Sequence, residues 1–118
     1  MKWNAALMIS YAMPIPGREA KAMEVFADGL TIFGKLAAEG MCAEPEVFHH
    51  LVGGGMFIVK TESIEIAHEI LARDDVREML DTAIFTVNDV NVELMVTGEQ
   101  LMNNMALYTA IGTQLAYI

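Results

Sequence analysis

A chain of 118 residues is one domain's worth of protein, long enough to bury roughly two-thirds of its unfolded surface in a single core. Hydrophobic residues make up 54% and charged residues 19%, an apolar excess that asks for more buried surface than a small monomer offers and predicts an oligomer. The formal charge is −9 and the isoelectric point is near 4.6, so the surface repels phosphate backbones and anionic lipid, which argues against nucleic acid and membranes as partners.

Cys42 is the sole cysteine, which leaves no intrachain disulfide framework and no CxxC site; a small buried apolar role is expected for it. No small-residue cleavage site precedes Pro14 and no stretch has the length and purity of a membrane span. The expected location is cytoplasmic.

The first element is "AALMISYAM", residues 5–13, apolar on both alternating faces and therefore a strand covered on both sides. Pro14 and Pro16 stop it, since each lacks the N–H that a ladder needs. Gly17 is expected to cap the helix that follows, with Glu19 in its first turn and Gly40 as its stop. Over that helix Lys21, Glu24, Asp28, Lys35 and Glu39 cluster on one narrow side, and Val25, Phe26, Leu30, Phe33 and Leu36 spread over the rest. "AEPEVFHHLVGGGMFIVKTE" reads as two strands joined by glycines. Ser63 then caps a second helix, "SIEIAHEILARDD", with Glu69 and Arg73 at a favourable i, i+4 spacing, and "DVREMLDTAIF" continues as a short helix. "VNVELMV" alternates, with Val90, Val92, Leu94 and Val96 on one face and Asn91, Glu93 and Met95 on the other.

This order, strand–helix–strand twice over, with right-handed crossovers, predicts a ferredoxin-like α+β fold. It is a βαββαβ chain with a four-stranded antiparallel sheet in the order 4-1-3-2 and helices on one face. The other face should be polar if it met water, yet it carries Met8, Met56 and Ile58, which predicts cover from a second copy. Residues 1–98 form this domain. Residues 99–118 continue as a helical extension with no charged side chain after Glu99, Leu101, Met105, Tyr108 and Leu115 falling on one side and Leu107, Ile111 and Ile118 towards another. A tail serving only its own subunit should carry a charged outer face, so packing between subunits is expected.

"PIPGREAKAMEVF" after the first strand, the glycine-linked "VGGGMFIVKTES" and "AHEILARDD" together resemble the dimeric α+β barrel superfamily over residues 3–97. The resemblance implies two ferredoxin-like subunits packed sheet to sheet, and is nearest to small bacterial members without assigned function. Other members include quinol-type and haem-degrading monooxygenases and lactone isomerases. In the haem-degrading relatives a helix histidine, an asparagine on the first strand and a tryptophan near the third act together. His68 and Asn4 match the first two, but Val59 stands near the tryptophan position and the only tryptophan is Trp3, so haem is not expected.

Neither glycine feature is a phosphate loop: "PIPGRE" lacks GxGxxG and GK[ST], and "GGG" does not precede a helix. His49 and His50 are adjacent on a strand and point to opposite faces, so they do not share a metal. The catalytic hypothesis is a barrel histidine, His49 or His50, acting as general acid or base with Glu93, whose carboxyl burial would raise unless paired. As the second and fourth strands are the sheet's edges, that contact would need the partner subunit. The ten methionines are spread over separate elements and read as adaptable packing. No metal or cofactor site is expected.

The sequence therefore predicts a small cytoplasmic homo-oligomeric α+β barrel protein, any ligand being a small apolar or aromatic molecule between helices and sheet or in the barrel. The alternatives are a cofactor-independent monooxygenase or isomerase using a barrel histidine and Glu93, and a structural subunit of a larger homo-assembly.

Overall fold

The computed structural model describes residues 3–115. Its elements run β1 (Ala5–Tyr11), α1 (Glu19–Ala38), β2 (Glu46–His49), β3 (Gly55–Thr61), α2 (Ile64–Leu71), α3 (Asp74–Ile84), β4 (Asn91–Val96) and α4 (Gly98–Gln114). The four strands form one antiparallel sheet in the order β2-β3-β1-β4, the order that the crossover rules predict. Hairpin pairing joins β2 to β3, and β1 takes the central place between β3 and β4.

The two faces of the sheet differ because side chains alternate along each strand. Ala5, Leu7 and Ile9 of β1 and Phe57, Val59 and Thr61 of β3 are buried under the helices. Phe33 and Leu36 of α1, Ile70 of α2 and Val76 and Leu80 of α3 close on them to make a single core. On the opposite face Met8 stands between Ile58 and Glu93, and Ala6 between Lys60 and Met95. Lys60 reaches diagonally to Glu46 at 2.7 Å. The centre of this face is thus half-buried methionine and isoleucine, and no helix among the described residues covers it.

Local signals act mostly as read from the sequence. Ser63 caps α2, its Oγ accepting from the Ile66 amide at 3.3 Å. Arg18, not Gly17, is the cap residue of α1; Gly17 lies one residue earlier with its N–H donating to Glu19 Oε1 at 3.0 Å. Arg73 does not pair with Glu69, since α2 ends at Leu71; its guanidinium binds Asp75 in the first turn of α3 and holds that carboxyl below the usual range. The pair is exposed enough to add little stability. Cys42 is 3% exposed, with Sγ 3.8 Å from the Phe33 carbonyl oxygen, and burial followed by the nearby Glu44 charge pushes its thiol up to about 11. Among the described residues, no buried side-chain nitrogen or oxygen lacks a partner.

The C-terminal segment departs from this compact body. The Thr97 amide donates to the Asn4 carbonyl at 2.7 Å, Gly98 turns the chain at φ +61, and α4 leaves the edge of the sheet. No residue of α4 is buried, and it has no substantial packing contact with another element. The radius of gyration is 16.5 Å, against roughly 13–14 Å for a compact chain of this length. Ile118, which the sequence places on the same extension, lies outside the described residues.

Stability should follow this division. Phe33→Ala, at a fully buried side chain, is expected to cost about 3–5 kcal/mol through lost transfer energy and the cavity left behind. Leu101→Ala on α4 should stay within about 0.5 kcal/mol for the isolated subunit. Urea unfolding of both variants at low protein concentration measures the contrast.

Candidate functional site

The hairpin register decides which histidine meets which face. Val47 pairs with Phe57 and His49 with Gly55, so His49 shares the helix-covered side with the core residues of β3. Gly55 is also the partner of Tyr11 on β1. Tyr11, Gly55 and His49 therefore form one row across three strands, and the middle member has no side chain. Over that gap Tyr11 Oη and His49 Nε2 meet at 2.8 Å. A Cβ at Gly55 would stand 2.7 Å from His49 Cδ2 and would also collide with the Phe48 carbonyl oxygen. Glycine is needed here for close approach.

Aromatic contacts hold the pair in place. The His49 ring stands edge-on to Phe26 of α1 at 4.9 Å and to Tyr11 at 5.8 Å. Phe57 links Phe26, Phe33 and Tyr11 at centroid distances of 5.4, 5.8 and 6.4 Å. Beside them lies an apolar cavity between helices and sheet, walled by Ile9, Tyr11, Ala22, Val25, Phe26 and Phe57, with Met79, Ala83, Thr86, Val87 and Val90 closing the α3 side. It holds about 40 Å³, room for one or two water-sized groups, and Met79 is an unbranched wall that can yield to something larger.

Tyr11 lines the cavity while His49 stands outside it, exposed. Burial pushes the Tyr11 phenol up to about 12. A neutral phenol O–H donates to Nε2 when the imidazole proton is on Nδ1, and accepts from Nε2–H in the other tautomer. The arrangement can therefore hand a proton from a group inside the cavity, through the phenol, to an imidazole in contact with solvent.

The other sequence candidates lie elsewhere. His50 follows β2 and lines an open depression of about 320 Å³ on the uncovered side, with Ser10, Met56, Asp89 and Asn91. Glu93 is exposed on that same side, opposite Met8. Within one subunit β3 and β1 separate β2 and its histidine from Glu93, about 14 Å at the usual strand spacing. Neither histidine reaches Glu93 within the subunit, and His49 is on the opposite face from it. His68 is exposed on α2, and Asn4 donates to the Glu62 carbonyl at 3.2 Å. Among the described residues no three His, Cys, Asp or Glu side chains group as a metal site. Tyr11 is the residue that sequence reasoning passed over; the signal was the third glycine of "GGG", opposite both a tyrosine and a histidine.

No protein-family model and no curated protein matches the chain. Solved structures do. A dimeric protein of unknown function and ferredoxin-like fold from Bacteroides fragilis superposes with a TM-score of 0.60 at 6% identity, over 80% of this chain and 97% of that one. A candidate antibiotic biosynthesis monooxygenase from Caulobacter crescentus gives 0.62 at 15% identity, over 81% and 92%. Another such candidate, from Deinococcus radiodurans, gives 0.61 at 16% identity, over 80% and 93%. The likeness establishes the ferredoxin-like fold.

The raised phenol has a measurable consequence. A group with a folded-state pKa above its unfolded value of 10.0 contributes stability that is complete below pH 10 and is lost as pH rises towards about 12. Comparing unfolding of the native protein with Tyr11→Phe across that window should show the native protein losing stability more steeply, and ultraviolet titration should find one late-ionising tyrosine that the variant lacks.

Proposed function

We propose that this chain is a cytoplasmic small-molecule-binding protein acting as a sheet-to-sheet homodimer. Its ligand is an apolar ring-bearing molecule with one hydroxyl or carbonyl, taken into the cavity between α1, α3 and the sheet. The observation that carries this reading is an almost wholly apolar cavity ending at the Tyr11–His49 hydrogen bond. Apolar walls supply affinity, and one placed polar group fixes orientation. The uncovered methionine and isoleucine surface of the sheet supports the dimer, as does the dimeric state of the Bacteroides fragilis structure. Among the described residues no helix is long and apolar enough to cross a membrane.

A second reading, cofactor-independent oxygenation, is favoured by the same pair and by the descriptions of the Caulobacter and Deinococcus structures. In it a phenolic substrate gives its hydroxyl proton to the Tyr11–His49 relay, and the electron-rich anion meets dioxygen in the apolar cavity. The apolar cavity suits this, since its walls keep water from the anion. His50 and Glu93 enter only in the dimer, facing the space between the sheets.

Phenol, the smallest ring-bearing molecule of this kind, is the probe, entering as the unbranched Met79 side chain moves aside, with calorimetry as the readout. Ala22→Leu fills the cavity from α1 and should abolish binding. Tyr11→Phe removes one hydrogen bond and should weaken binding about five- to tenfold. Undiminished binding to Ala22→Leu would remove the cavity from consideration, and dioxygen uptake with the bound phenol would decide for the second reading.

A further inference from the structure

We infer that α4 is a self-association helix, its exposed seam pairing with α4 of a second copy and joining subunits independently of the sheet face. The seam is Leu101, Asn104, Tyr108, Ile111 and Leu115, spaced three and four residues alternately as the inner positions of a helix pair. Leu101, Tyr108, Ile111 and Leu115 are 39%, 67%, 43% and 57% exposed, and no residue of α4 is buried. Met105 and Leu107 flank the seam and widen it to the breadth that packs against more than one helix. Asn104 is the polar member, and a buried asparagine in such a seam fixes one register because it needs a matching hydrogen-bonding group.

Three observations identify the occupant as another copy of this chain. The first is charge. The body is strongly acidic, with Glu24 and Asp28 exposed on α1 and Glu78 and Asp81 on α3, whereas no charged residue follows Glu99. Two copies at −9 each repel over the body, and α4 offers a neutral surface for approach. A membrane-surface helix would instead carry lysine and arginine on its polar side, and α4 has neither. The second is size. Four large seam side chains and their two apolar flanks, each leaving on the order of 100 Å² exposed, offer roughly 600 Å², the lower end of what each partner of a stable interface buries. The third is that a lone helix of this length is marginal in water, and one holding glycine, threonine and two asparagines more so. Packing against an identical helix supplies what the domain does not.

The test is molar mass by light scattering on the full chain, with circular dichroism to confirm folding. Tyr108→Glu with Ile111→Glu places charge in the seam and should lower the mass at least twofold. Ala106→Glu with Thr113→Glu places the same charge on the opposite side of α4 and should leave it unchanged. Since no residue of α4 is buried, none of these should unfold the domain. Ile58→Glu, on the uncovered sheet face, probes the sheet dimer separately. A seam variant with the native mass would overturn the inference, as would equal dissociation by the opposite-side variant. Dissociation by Ile58→Glu alone would overturn it too, while leaving the sheet dimer standing.

Discussion

Phe57 wedged beneath Gly29 is the contact on which the rest of the subunit turns. A Cβ on Gly29 would lie 3.1 Å from Phe57 Cζ, so a bare position on α1 lets the ring rise from the sheet into the helix layer. There it touches Phe33 of the central core on one side and Phe26 and Tyr11 of the candidate site on the other. The same ring sets the distance of α1 from the sheet and the width of the cavity. Core packing and ligand space are therefore not independent, because close-packed interiors transmit a displacement of one ring to its neighbours.

A second constraint follows from the row Tyr11, Gly55, His49. β2 is only four residues long and lies at the sheet's edge, where a strand is tied by a single ladder. The Tyr11–His49 bond reaches over β3 and fastens that edge directly to the central strand. One interaction thus serves as a strut for the hairpin and as the polar end of the cavity, so a lesion in either role is felt in the other.

The fold was largely legible in the sequence because its signals are short-range or topological. Proline 14 and 16, the Ser63 cap and the double alternation around Leu7 and Met8 act within a few residues, and crossover handedness then leaves one strand order. The site was less legible. The facing of His49 and His50 depends on how many residues the glycine turn consumes, since one residue of slip exchanges the two sides of a strand. Glu93 stands on the uncovered face, opposite Met8, as its alternation with Val92 and Leu94 predicts, and so lies away from the cavity. Tyr11 looked like one more apolar strand residue; its partner is 38 residues distant, and only the register across Gly55 brings them together.

Cys42 gives the molecule a built-in clock. Only a thiolate attacks an alkylating reagent, and this sulfur is both enclosed and held protonated at neutral pH by its surroundings. It sits where the chain leaves α1 for β2, against the Phe33 carbonyl, so a reagent reaches it only when that junction opens. The rate of labelling of one natural atom therefore times excursions of the central core, and events confined to α4 leave it silent.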